Sequence, residues 1–194
     1  GHYDVLDLNE LPDNYLPRTN YVPACSPDEY LKRTPRVPWG SGKAFTEYFR
    51  LLNREMLSQS GERTFIPCIL PKFAGHILTC VSTVFKDSST LVNAFSSALS
   101  LPFDFFAKST GMGHSTYSIP EKLVLHKDDA ATRARVRALS LVCLTSAYQE
   151  LWAEVWQTDF CQGKWLKSDN RLSNLFFRNL TPKWSRNCAL RTDY

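Results

Sequence analysis

The sequence predicts an α/β fold of the α+β kind: a small mixed or antiparallel sheet flanked by helices, with a long C-terminal helix. Three observations predict it. The short apolar runs TFIPCIL and HILTCVSTVF are rich in strand-forming residues and bounded by turn signals. SSTLVNAFSSALS and the segment 130–157 instead repeat their apolar residues at a helical spacing behind capping side chains. A composition of 43% hydrophobic and 22% charged residues over a length of 194 suits one domain with a real core, or one domain with a small helical appendage.

The chain reads as three parts: an extended, proline-rich opening at 1–42, an α/β core at 43–127, and a helical appendage with a connecting arm at 128–194. Residues 9–40 hold six prolines, which cannot donate to a ladder and push their predecessors towards extended backbone. Within them Ser26, Pro27 and Glu29 predict a short helix over 27–32, with serine as N-cap and an acid near the positive end of the dipole. Arg33, Arg36 and Lys43 then line an irregular segment. Over 43–57, Phe45, Phe49, Leu52, Met56 and Leu57 fall near a period of 3.6 and predict a helix, with a strand at its start as the alternative. In the SQSGE turn that follows, Gly61 is expected to use its freedom to take positive φ.

The run 64–70 predicts a largely buried strand, and Pro67 argues against pairing on both sides of it. A second strand is expected over 76–85, antiparallel to the first because KFAG is too short for a crossover. Leu91, Val92, Phe95, Ala98 and Leu99 predict a helix capped by Ser88 or Ser89. Ser100 and Pro102 start another through FDFFAKS, since proline is tolerated only in a first turn. GMGH at 111–114 follows a helix and so reads as a C-cap and turn before a phosphate cradle, with IPEKLVL closing the unit as a strand. Asp128 or Asp129 caps the long helix from 130 to about 157. Its two apolar stripes, one through Val136, Leu139 and Cys143 and one through Leu141, Leu144, Tyr148 and Trp152, call for packing on two sides.

The net charge of +4 is unevenly spread. Residues 1–17 carry Asp4, Asp7, Glu10 and Asp13 without a Lys or Arg, whereas 18–60 hold seven basic residues against four acids, and 131–194 ten against five. Such local excess suits a phosphate-facing surface or plain solvated faces. The six cysteines are never closer than twelve positions, so no CxxC pair offers a zinc knuckle, and free thiols are expected. No apolar run reaches the roughly 18 residues of a membrane span, and GHYDVLDLNE lacks the basic start and apolar core of a signal peptide. The protein is expected to be cytoplasmic, without a membrane partner. It reads as a domain of a longer protein, with Gly1 and His2 as a cloning remnant.

Catalytic motifs are missing from the sequence. It holds no GxSxG elbow, no HExxH, no P-loop lysine motif and no dinucleotide fingerprint, so no catalytic residue and no metal ligand is assigned. A Cys–His hydrolase would need residues such as Cys68 and His114 to meet in space, which spacing alone does not decide.

ERTFIPCILPKFAGH, LSLPFDFFAKS and HSTYSIPEKL, in this order, resemble the target-recognition region of large bacterial DNA adenine-N6 methyltransferases of restriction–modification and phage-defence systems, of the BREX and DISARM kind. LPRTNYVP, RALSLVCLTSAYQELW, SDNRL and LRTDY extend the resemblance over nearly the whole chain, and the middle part is also similar to the recognition domains of type I specificity subunits. Departures are Pro67 within the first strand, a glycine loop one residue longer, and Val124 in place of a proline after Leu123. The resemblance implies a target-recognition-domain-like fold that binds double-stranded DNA and serves a methyltransferase domain of the same parent chain. S-adenosylmethionine would belong to that domain, with no cofactor held here. In that family Glu62, Arg63 and Thr64 open the strand, Lys72 stands at a basic position, and His114, Thr116, Tyr117 and Ile119 occupy the matching loop. Basic residues set register on phosphates while hydroxyls and imidazoles read base edges. The DNA contacts expected on this basis are Arg50, Arg54, Lys72, His76, Lys108, His114, Ser115, Thr116 and Tyr117. The alternative is a protein-interaction module that docks a methylase or nuclease subunit through the double-striped helix.

Overall fold

Strand pairing begins in a segment that the sequence predicts as a helix. In the computed structural model, which describes residues 5–17 and 21–191, Arg50–Arg54 is a strand, β1, and only a 3₁₀ turn at Phe45–Glu47 is helical nearby. Readings that rest on Gly1, His2 and Asp4, on 18–20 within LPRTNYVP and on 192–194 within LRTDY lie outside the described residues. β1 is the centre of a three-stranded sheet, antiparallel both to β2 (Pro67–Leu70) and to β3 (Cys80–Val84). Two-sided pairing satisfies its backbone along its whole length, and over so short an apolar run that outweighs a helical spacing.

The sheet corrects two further expectations. β2 and β3 are each antiparallel to β1 but not paired with each other, because β1 lies between them. The ladder of β2 starts at Pro67, not at 64, and β2 is an edge strand, as a residue without an N–H requires. Leu51 stands opposite Ile69 on one side and Thr83 on the other, and Leu51, Ile69 and Phe49 all enter the main core.

Helix starts follow their capping chemistry. α1 (Pro27–Arg33) is capped by Ser26, whose Oγ accepts from Glu29 N at 3.3 Å. α2 (Ser88–Ala98) is capped by Asp87 instead of Ser88 or Ser89; the carboxylate takes the Thr90 N–H at 2.7 Å, an anion at the positive end of the helix. α3 (Leu101–Ser109) has Ser100 as N-cap and Pro102 in its first turn. It ends at Gly111, whose φ of +66 lets its N–H reach Lys108 O at 3.2 Å, a left-handed C-cap. Gly61 is not among the residues with positive φ. The strand expected at 119–125 is absent: Pro120–Lys122 forms a 3₁₀ turn, Ile119 is buried and Val124 is exposed.

The long helix is two helices. α4 (Asp128–Val142) begins with Lys127 at the cap position and no side-chain cap, and α5 (Gln149–Val155) follows a break containing a 3₁₀ turn at Ser146–Tyr148. No proline or glycine causes the break. The freed backbone groups have tertiary partners: Trp184 Nε1 donates to Cys143 O at 2.9 Å, Arg191 Nη2 to Leu144 O, and Ser146 N to Asp13 O at 2.7 Å. Arg191 also holds the opening segment, with Nη1 on Leu8 O at 2.8 Å, and Arg186 joins it with Nη1 on Leu11 O at 3.0 Å.

One cluster joins Phe49, Leu51 and Ile69 of the sheet region to Leu91 and Phe95 of α2, Val136 and Leu139 of α4, Trp152 of α5, and Phe177 and Cys188 beyond, so 43–127 and 128–194 share a hydrophobic core. Trp152 is fully buried and donates Nε1 to Thr181 O at 2.8 Å. A second cluster, Leu57, Phe65, Ala98, Phe103, Ala107 and Ile119, lies under α3. Among the described residues no helix is long and apolar enough to cross a membrane.

Asp104 pins the approach to β2. Its buried Oδ1 accepts from Thr64 N at 3.0 Å and Phe65 N at 2.7 Å, beside Arg63 Nε at 3.4 Å. Asp104→Ala leaves two buried amides unpaired and is expected to cost about 3 kcal/mol in urea unfolding, whereas a loss under about 1 kcal/mol would contradict this role.

Candidate nucleic-acid interface

Alternation along β1 separates its two faces. Leu51 enters the core with α2, so Arg50, Leu52 and Arg54 project from the opposite side, as does Ser82, the partner of Leu52 on β3. On that side two loops meet, and β1 positions both.

The first loop, 71–79, is held by Arg50. This side chain is 3% exposed, and its Nη2 donates to the carbonyls of Ala74 and, at 3.4 Å, Pro71. Burial lowers its pKa from the ordinary arginine value, against a smaller opposing pull from Tyr30. The Phe73 N–H donates to Thr46 O at 2.6 Å, and Phe73 has a φ of +62. A left-handed backbone costs a non-glycine residue about 1–2 kcal/mol. Two residues on, a Cβ at Gly75 would stand 2.6 Å from Tyr30 Oη, so a side chain there would have to displace the Tyr30 phenol of α1. His76 places Nδ1 3.1 Å from Ile77 O and Nε2 2.8 Å from Ser82 Oγ. A carbonyl can only accept, so the bond to Ile77 O takes a proton on Nδ1, while the serine hydroxyl can donate to or accept from Nε2.

The second loop continues the ladder of β1. Leu57 N donates to Gly113 O at 2.9 Å and Ser115 N to Glu55 O at 2.6 Å, around a bridge between Met56 and His114. Ser115 is fully buried, and its Oγ accepts from Asn53 Nδ2 at 3.1 Å. His114 Nδ1 lies 2.6 Å from Glu55 Oε1. Thr116 and Tyr117 then turn outward, Tyr117 with 67% of its surface exposed.

Between these loops, α1 and β3 lies an open groove of about 860 Å³. Arg50, Glu55 and Thr46 contribute from β1 and its approaches, Tyr30, Arg33 and Thr34 from α1, Gly75, His76 and Leu78 from the first loop, Ser82 from β3, and Ser115, Thr116 and Tyr117 from the second. Five of the nine candidate DNA contacts therefore converge here, and His114 is tied to the wall through Glu55. They divide by role. Arg50 and Ser115 are buried and hold the loops, while His76, Thr116 and Tyr117 are exposed.

The other candidates stand apart from the groove lining. Arg54 is exposed at the end of β1. Lys72 lies on a separate cavity of about 390 Å³ with Lys43 and Lys86, paired with Glu150 and 5.2 Å over the Phe49 ring. Lys108 is exposed in the last turn of α3. The partner of His114 is Glu55, not Cys68, and among the described residues no group of His, Cys, Asp and Glu is placed to hold a metal ion.

Sequence reading missed Tyr30, Glu55 and the strained Phe73, and it placed Arg33 in an irregular segment, as solvated charge or a phosphate contact, where Arg33 is the last residue of α1. The Ser26–Pro27 signal gives α1 but not its docking partner, and Glu55 was hidden inside an expected helix. For Gly75, KFAG carried a usable signal, a glycine within a short connection between strands. No protein-family model, curated protein or solved structure matches the chain.

Arg50→Lys replaces a two-carbonyl grip with a point charge of shorter reach. It is expected to lower stability in urea by about 1–3 kcal/mol and to speed tryptic cleavage after Lys72. An unchanged cleavage rate would show that the loop does not depend on the guanidinium.

Proposed function

We propose that this chain is a cytoplasmic DNA-recognition module, and that the groove between α1, β3 and the two loops takes the edge of double-stranded DNA. In this reading it belongs to the target-recognition region of an adenine-N6 methyltransferase of restriction–modification or phage defence, and positions a site for a catalytic domain of the parent chain. The observation that carries the reading is the convergence of His76, Thr116 and Tyr117, from loops far apart in sequence, on one groove whose walls are pinned to a sheet. The exposed Thr116 and Tyr117 hydroxyls can donate to and accept from base edges, and His76 can do so by exchanging its hydrogen bond to Ser82 or Ile77; pinned loops present these groups with little ordering cost on binding. Arg33 lines the same groove with a largely exposed side chain, and Arg54 is exposed at the end of the strand beneath it; both suit phosphate contacts.

The ordered resemblance of ERTFIPCILPKFAGH, LSLPFDFFAKS and HSTYSIPEKL to recognition regions supports the same reading. The described sheet is antiparallel throughout, and its glycine loop at 111–113 follows a helix, not a strand. In this reading S-adenosylmethionine and methyl transfer belong to the catalytic domain of the parent chain.

Arg33→Ala and Arg54→Ala are each expected to weaken binding of the chain to mixed-sequence duplex DNA, and to reduce the slope of log K against log salt by about 1. Fluorescence anisotropy across a salt series measures both. Slopes equal to that of the unaltered chain would remove these arginines from the interface.

A further inference from the structure

Phe73 occupies a backbone conformation that a bulky L residue rarely adopts, and its surroundings enforce it. Its N–H is taken by Thr46 O at 2.6 Å. Arg50 grips the carbonyls of Pro71 and Ala74 on either side of it. A side chain at position 75 would meet the Tyr30 hydroxyl. Yet the ring itself packs on nothing in the cores: it is 70% exposed and belongs to neither hydrophobic cluster. A glycine would take the same φ without strain. The fold thus holds an aromatic ring outward at a position where its own stability favours no side chain, and strain kept in this way points to a ligand.

The same loop presents Leu78, 91% exposed, and Ile77, while its neighbours Gly75 and His76 line the groove. An apolar tip on a pinned loop beside hydrogen-bonding side chains is the arrangement that unstacks a base step. We infer that Phe73 is a wedge that inserts its ring between adjacent base pairs of DNA seated at the groove. The inference rests on the DNA-recognition reading and deepens it. Arg50 and Thr46 hold the backbone that carries the ring, so insertion orders little of the loop. His76 and Tyr117 stay with the base edges beside the opened step.

The test uses the whole chain and duplexes that it enriches from a randomised pool, with 2-aminopurine placed in turn at each adenine. The expected result is a rise in 2-aminopurine fluorescence at one step with the unaltered chain and with Phe73→Leu, and no rise with Phe73→Gly. Phe73→Gly should bind about tenfold more weakly or worse, the worth of a lost ring–base stack, with an unchanged salt slope because no charge is removed. Its melting temperature should equal or exceed that of the unaltered chain, which separates a lost contact from a lost fold. If the salt-dependent binding is intact and Phe73→Gly binds and reports as the unaltered chain does, the wedge is overturned alone and the ring falls to a protein partner. If the unaltered chain enriches no duplex and shows no salt-dependent binding, the DNA-recognition reading falls and the wedge falls with it.

Discussion

The buried guanidinium of Arg50 is the constraint on which the groove depends. A charge enclosed by protein must find fixed acceptors, and Arg50 finds them in the carbonyls of the loop beyond β2. Sheet and loop are therefore coupled. A slip of β1 by one residue would turn Arg50 towards α2 and bring Leu51 out of the core. The hydrophobic pattern that sets the register thus also sets the position of the loop.

The same strand governs the second loop by a different chemistry. Where Arg50 uses a side chain, residues 55–57 use their backbone, pairing with 113–115 as though β1 had gained another partner, and Asn53 adds the Ser115 hydroxyl. The core with α2 lies behind the strand and the groove before it. The exposed candidate contacts Thr116 and Tyr117 follow directly after the last paired residue, so the sheet anchors the backbone that carries them.

Local signals made part of this legible in the sequence. Ser26 and Ser100 mark helix starts because capping is settled within one turn, and Pro67 marks an edge because a missing N–H is a property of the residue itself. What sequence did not give was decided at long range. β1 is a strand because two other strands need it, and the break after Val142 exists because Trp184, Arg191 and Asp13 offer its backbone better partners than the helix does. The candidate contacts show the same divide: residue type selected Arg50 and Ser115 alongside His76 and Tyr117, but only burial separates the two that build the groove from the two that face it.

Hydrogen–deuterium exchange of the chain with and without the duplexes it enriches tests the central claim most directly, because it locates the DNA without presuming any contact. Slowed exchange is expected at 27–34, 72–79 and 113–118, with α4 and α5 unchanged. Protection confined to α4 and α5, or to the outer face of α3, with both loops unaffected, would contradict it.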